Sequence, residues 1–166
     1  MPLQQALLLQ FKKGKEAATL TVLRADGTST WTKLHRGIEV HDLAHYAVEQ
    51  TLGLENAFYG LLAQGYDISA FEAPKAERLE ALHPVNLPPE SLQVEHLVNL
   101  LLAEMQYGEI LTDFMEQLGE ILRQHDLPPM LILTDERLRD IRRQLFRLSN
   151  SWRSTPGDGI LELRLE

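Results

Sequence analysis

The chain has 166 residues, 44% of them hydrophobic, and carries a net charge of −8 with no cysteine. Its length and hydrophobic share favour a single domain over residues 1–166 with one core. The lack of cysteine excludes disulfides, thiolate metal sites and cysteine nucleophiles. The acidic balance disfavours nucleic acid as a partner, because like charges repel at long range.

The N-terminal segment and the apolar runs bear on location. Residues 1–9 are partly apolar, but the lysines at 12, 13 and 15 follow this patch, which is the wrong order for a secretory signal. The longest apolar runs, such as residues 100–103, are too short to span a bilayer. We therefore expect a cytoplasmic protein without a membrane partner.

The first third of the chain predicts strands. Residues 6–11 are apolar, and residues 19–24 alternate with β-branched side chains. Asp26-Gly27 then gives a strong hairpin signal, and residues 29–34, which include Trp31, form the return strand. These three strands predict an antiparallel meander.

Helical patterns follow. Residues 39–52 predict a helix that ends at the C-cap Gly53, and residues 55–64 predict a second, shorter one. Residues 66–87 contain two prolines and predict a loop with one helical turn around 75–82.

The second half predicts more helix and a last strand. Apolar residues recur at helical spacing from Val94 to Leu122, although Gly108 and Gly119 weaken one unbroken helix. A last helix runs from residue 134 or 135 to about 148, and alternation over 161–165 predicts a strand that completes the N-terminal sheet. The fold class is therefore α+β, with an N-terminal antiparallel meander completed by a C-terminal strand and helices packed on one face.

The helix over 39–52 carries the best candidate site. His41, His45 and Glu49 are spaced four and four, so their side chains form one row on the helix. Two imidazoles at this spacing, with a carboxylate as a further ligand, can bind zinc, iron or manganese. Asp42 lies beside the row, where it can orient a histidine or accept a proton from a bound water.

Two points about this row stay open at the level of sequence. If Glu49 is too far along the helix to share an ion with His41, the third ligand comes from elsewhere, and four residues qualify by type: Glu95, His96, Asp67 and His35. The alternative is that the row is a solvated polar face. The pattern resembles the HExxH helix of zinc peptidases, but Asp42 replaces its glutamate, so peptidase activity is not predicted.

The segment after this helix, residues 56–67, concentrates aromatic, glycine and polar residues. Tyr59, Gln64, Tyr66 and Asp67 can line a pocket beside the row, or this composition can mark tight packing and a turn. The stretches WTKL, HDLAHYAVE, LGLENAFYG and AQGYDI together resemble a group of short bacterial proteins without an established activity. The resemblance implies that these residues form one unit.

Arginines are concentrated near the C-terminus, at positions 137, 139, 142, 143, 147 and 153. They predict either a phosphate-binding surface or ion pairs with the acidic long helix, and the net charge favours the ion pairs.

Taken together, the patterns predict a protein that binds a divalent metal ion, and hydrolysis is the activity that such a site would favour. The sequence leaves open whether the protein is an enzyme, and a metal-free enzyme that uses histidine and aspartate stays an alternative, although no nucleophile is marked. The alternative is a non-catalytic interaction protein or a homodimer-forming module that uses the long apolar helix. A small molecule is a candidate partner, but the sequence does not identify it or any substrate.

Overall fold

The structure, a computed structural model, describes residues 6–166; residues 1–5, part of the N-terminal patch discussed above, lie outside this range. Its four strands are β1 (Leu7–Lys12), β2 (Ala18–Arg24), β3 (Ser29–Leu34) and β4 (Ile160–Leu165). They form one antiparallel sheet in the order β3-β2-β1-β4. The predicted α+β class, the meander and the completing C-terminal strand are confirmed.

The sheet has one buried and one open face. Leu7, Leu9 and Phe11 alternate along β1 toward the core and are at most 1% exposed, as expected where side chains alternate between the two faces of a strand. Trp31 pairs with Thr21 on the opposite face and is 60% exposed. The helices therefore cover a single face of the sheet.

The helices are α1 (Ile38–Leu52), α2 (Phe58–Ala63), α3 (Ile68–Glu72), α4 (Pro89–Tyr107), α5 (Phe114–Gln124) and α6 (Asp135–Ser154). The predicted end of α1 is confirmed, since Gly53 has a left-handed φ of 64° and its N–H bonds to the carbonyl of Glu49. Within residues 6–166, no helix has the length and apolar character needed to cross a membrane.

Three segments refine the sequence prediction, which already expected a helical turn around 75–82 and a weak point at Gly108. The expected loop over 66–87 contains α3 and two short 3₁₀ turns, at 75–77 and 80–82. The long helical region is broken where Gly108 takes a left-handed φ of 73° and ends α4. Helix α6 continues past residue 148, because Trp152 still finds a buried partner in Phe11, with ring centroids 6.2 Å apart.

Helix α1 is the centre of the helical layer, in contact with both α4 and α6. The Tyr46 hydroxyl donates to the carbonyl of Arg164 in β4 at 2.7 Å, and the Thr51 hydroxyl donates to Gln144 in α6 at 2.9 Å. These bonds fix the rotation of α1, and with it the direction of every side chain on its polar row.

The apolar residues of α4 are buried in the core of the protein. Val94, Leu97, Val98 and Leu101 are at most 1% exposed and belong to the main core. The stripe that suggested a partner surface therefore packs against the chain's own helices. Dimer formation stays a prediction.

One arginine pairs with the long helix as predicted. Arg142 donates to both carboxylate oxygens of Glu104, at 3.0 and 2.6 Å, and Glu104 is 6% exposed. Arg143 pairs instead with Asp140 of its own helix.

Candidate metal centre

Three potential metal ligands converge where α1 meets α4. His41 and His45 project from α1 and Glu95 from α4, and each offers a ligand atom within 4.8 Å of the other two. The i, i+4 spacing places the two imidazoles one above the other, with ring centroids 4.8 Å apart. The predicted pairing of the two histidines is therefore present, with a carboxylate between them.

Glu95 faces the same nitrogen of both rings. Its Oε1 lies 2.9 Å from His45 Nε2, and its Oε2 lies 3.7 Å from His41 Nε2. The Nε2 atoms and the carboxylate thus surround one point between the helices.

The other nitrogen of each ring faces a second carboxylate. Asp42 Oδ1 lies 3.5 Å from His41 Nδ1, and Glu49 Oε2 lies 3.4 Å from His45 Nδ1. Carboxylates and imidazoles therefore alternate in space as one connected series, in the order Asp42, His41, Glu95, His45, Glu49. A histidine whose Nδ1–H points at a carboxylate presents the Nε2 lone pair to a metal ion.

The row is partly buried, and this argues against one of the two interpretations of the sequence. His45 is 2% and Glu49 1% exposed, so a solvated polar face is the wrong description of this end of the row. The spacing along α1 could not reveal this burial, because it depends on the contacts of α1 with α2 and α4. The side chains of His41 and Glu95 remain 27% and 44% exposed and give the cluster an opening to solvent.

The electrostatics follow from the three carboxylates. Asp42 first, and then Glu95, raise the pKa of His41 to about 8. Burial opposes protonation of His45, but Glu49 and Glu95 outweigh it and raise its pKa to about 10. Burial also acts on Glu95, yet the two imidazoles hold its pKa well below the usual range. The cluster attracts positive charge, as protons or as a cation.

Binding of an ion requires the three ligand atoms of His41, His45 and Glu95 to move slightly closer together. Nitrogen and carboxylate ligands lie about 2.0–2.2 Å from zinc, so two ligand atoms of one ion are at most about 4.2–4.4 Å apart. The present ligand atoms reach 4.8 Å. Side-chain rotations of His41 and Glu95, the two exposed members, can close this difference.

Glu49, predicted as a ligand, is outside the converging set. Its Oε1 accepts the backbone N–H groups of Tyr59 at 2.9 Å and Gly60 at 3.2 Å, and its Oε2 faces the far nitrogen of His45. Its position behind the ring suits a role in orienting His45 rather than in binding the ion. Asp42 likewise lies behind His41, which favours an orienting role for it over that of a base.

The four predicted pocket residues serve mainly to join elements. Tyr59 is fully buried, and its hydroxyl donates to the carbonyl of Asp42 at 2.9 Å. Gln64 donates to Glu55 and Asn56. The last two residues bond to Arg24 of β2, whose guanidinium donates to the carbonyl of Tyr66 at 2.6 Å and to the carboxylate of Asp67 at 3.1 Å. Of the four, Tyr59 bonds to the α1 site helix, Gln64 ties the end of α2 to the segment before it, and the contacts of Tyr66 and Asp67 hold the turn after α2.

Of the four residues proposed by type as a third ligand, Glu95 is the one that joins the cluster. His96 pairs with His125, with ring centroids 4.3 Å apart, and Asp67 pairs with Arg24. Glu95 follows the core residue Val94 and so lies at the margin of the apolar face of α4. An acidic residue in that position was the available signal, but the packing of α4 on α1 was needed to choose it.

The aromatic rings of α2 and α3 bound the buried side of the cluster. Phe58 lies 5.6 Å from the His45 ring and 5.4 Å from Phe71, measured between ring centroids. This apolar wall excludes water and so lowers the local dielectric constant around His45, which strengthens its interactions with the facing carboxylates.

No protein family, curated protein or solved structure matches this chain. The resemblance to short bacterial proteins stays a prediction.

Proposed function

We propose that this protein binds one divalent transition-metal ion through His41, His45 and Glu95 and uses it for hydrolysis. The observation that carries the proposal is the orientation of both rings. Each histidine directs Nε2 toward Glu95 while its Nδ1 faces another carboxylate. A merely structural histidine needs one such partner, whereas paired carboxylates behind two converging imidazoles are typical of metal sites.

The ligand types narrow the choice of ion. Two imidazoles and a carboxylate, without any thiolate in the chain, suit zinc, iron or manganese better than the softest metals. Three protein ligands leave at least one coordination position, as in catalytic rather than structural zinc sites.

Hydrolysis is the chemistry that such a position supports best. An ion in this site would lower the pKa of a bound water toward about 7 and supply hydroxide at neutral pH. The exposed edges of His41 and Glu95 give a substrate access to that position. In this mechanism Asp42 holds the ring of His41, and Glu95 contributes negative charge that balances the ion.

The first test is metal content. The protein would be purified without an affinity tag or chelator and analysed by mass spectrometry, alone and after incubation with zinc, iron(II) or manganese. The His41→Ala/His45→Ala double variant would be compared with a His96→Ala/His125→Ala control, which also removes two neighbouring imidazoles. We expect close to one ion per chain in the wild type and the control, and its loss in the site variant.

The second test concerns activity. Metal-loaded protein would be assayed with p-nitrophenyl esters and phosphoesters, with the site variant as the background. Metal binding without turnover on any ester class would leave a binding protein and refute the hydrolase. Equal metal content in the wild type and the site variant would refute the site.

A further inference from the structure

We infer that Glu49 is a positioning residue that selects the metal-binding form of His45 and couples ion binding to the seating of α2. This inference rests on the proposed metal site. It concerns a residue that lies on the far side of the imidazole from the ion.

Two buried atoms motivate it. His45 Nδ1 and Glu49 Oε2 are both buried without a hydrogen bond, although they face each other at 3.4 Å. Buried polar atoms are rarely left unpaired, because nothing then replaces the solvation that they lose on burial. A small rotation of the His45 ring that moves Nδ1 by a few tenths of an ångström would bring the two atoms to an ordinary hydrogen-bond distance. The contraction that an ion requires moves the same ring.

The other oxygen of Glu49 cannot follow such a movement freely. Oε1 is held by the N–H groups of Tyr59 and Gly60 at the start of α2. Tyr59 is fixed in turn by its hydroxyl bond to the carbonyl of Asp42. Glu49 is therefore a rigid link between the His45 ring and the α1–α2 junction, and it prescribes where the Nδ1 proton lies.

An amide in place of the Glu49 carboxylate would reverse which nitrogen of His45 carries the proton. In Glu49→Gln the carbonyl oxygen can keep the two backbone N–H bonds at the Oε1 position. The amide NH₂ then faces His45 Nδ1 and donates to it, which favours the form that carries its proton on Nε2. That form has no lone pair for the ion, although the side chain has almost the same size.

Cobalt(II) is a suitable probe, because its visible spectrum reports the ligand geometry as well as the affinity. The matched control is Glu104→Gln. Glu104 lies near the end of α4, away from the cluster, and its buried carboxylate likewise accepts a backbone N–H, that of Leu111. We expect Glu49→Gln to bind cobalt about 10–100-fold more weakly than the wild type with an altered spectrum. Glu104→Gln should bind within about twofold of the wild type.

A second measurement needs no variant. Hydrogen exchange of the Tyr59 and Gly60 amides would be followed in wild-type protein with and without zinc, using the Leu111 amide as the reference. Because both donors bond to Glu49, zinc should slow their exchange at least tenfold more than that of Leu111. If Glu49→Gln does not fold, this measurement decides the matter alone.

The outcomes separate this inference from the proposed site. Tight cobalt binding that is equal in the wild type and Glu49→Gln, or exchange at Tyr59 and Gly60 that is insensitive to zinc, would overturn the role of Glu49 and leave the site intact. Failure of wild-type protein to bind cobalt at millimolar concentration would overturn both.

Discussion

The junction between α1 and α2 can be tested with a single methyl group. Gly60 packs so closely that a Cβ would lie 2.1 Å from the carbonyl oxygen of Glu55, whereas ordinary contact begins near 3.4 Å. Backbone atoms cannot rotate away, so Gly60→Ala must displace the start of α2. The displaced segment carries the Tyr59 and Gly60 N–H groups that bond to Glu49.

The expected cost can be assembled from these contacts. Overpacking of a tight site costs about 1–3 kcal/mol, and a hydrogen bond to a charged group contributes about 1.5–3 kcal/mol. With one such bond lost, Gly60→Ala should lower the free energy of unfolding by about 2.5–6 kcal/mol. In a chain of this length that corresponds to a Tm lower by roughly 5–24 °C.

The control is another glycine in a helix. Gly119 of α5 has no heavy atom within 4 Å of its added Cβ. Gly119→Ala should therefore stabilise the protein by up to about 1 kcal/mol through helix propensity alone. Urea and thermal unfolding followed by circular dichroism measure both variants. Equal stability of Gly60→Ala and the wild type would refute the tight seating of α2 and, with it, the rigid link through Glu49.

Three further predictions concern other contacts. Arg142→Ala leaves the buried carboxylate of Glu104 without its partner and should cost about 3–5 kcal/mol in urea unfolding; a loss under about 1 kcal/mol would contradict this pairing. In ion-free protein, nuclear magnetic resonance titration of His41 should give a pKa of about 8 instead of 6.5. Its protonated form therefore stabilises the fold fully below pH 6.5, and that stabilisation is lost as the pH rises through 8; a pKa near 6.5 would contradict the facing carboxylates. Arg24→Met removes the guanidinium that now donates at 2.6 Å to two carbonyls, that of Leu62 in α2 and that of Tyr66 just after it, and it should cost about 2–4 kcal/mol. Unchanged hydrogen exchange around these two residues would contradict this anchoring.

Much of the fold follows from local sequence signals. Alternation and the Asp26-Gly27 turn predicted the meander, and Gly53 predicted the end of α1. These features depend on neighbouring residues only. Helix α3 was not predicted, because its five residues lie in a segment with two prolines and its position depends on the contact of α3 with β3.

The candidate site was half predictable for the same reason. The spacing of His41 and His45 on one helix is a local property, so the pair could be recognised. Glu95 comes from a helix more than forty residues later, and its choice over His96 depends on how α4 rotates against α1. Glu49 satisfied the spacing rule but was drawn behind the ring by the two N–H donors of α2.

The most direct test of the central claim is anomalous X-ray diffraction from crystals grown with zinc. If the proposed site binds zinc, we expect one strong anomalous peak between α1 and α4, about 2.0–2.2 Å from His41 Nε2, His45 Nε2 and a Glu95 oxygen. Glu49 should remain outside the coordination sphere, with Oε2 on His45 Nδ1. No peak at this position, or a peak bound to Glu49 in place of Glu95, would contradict it.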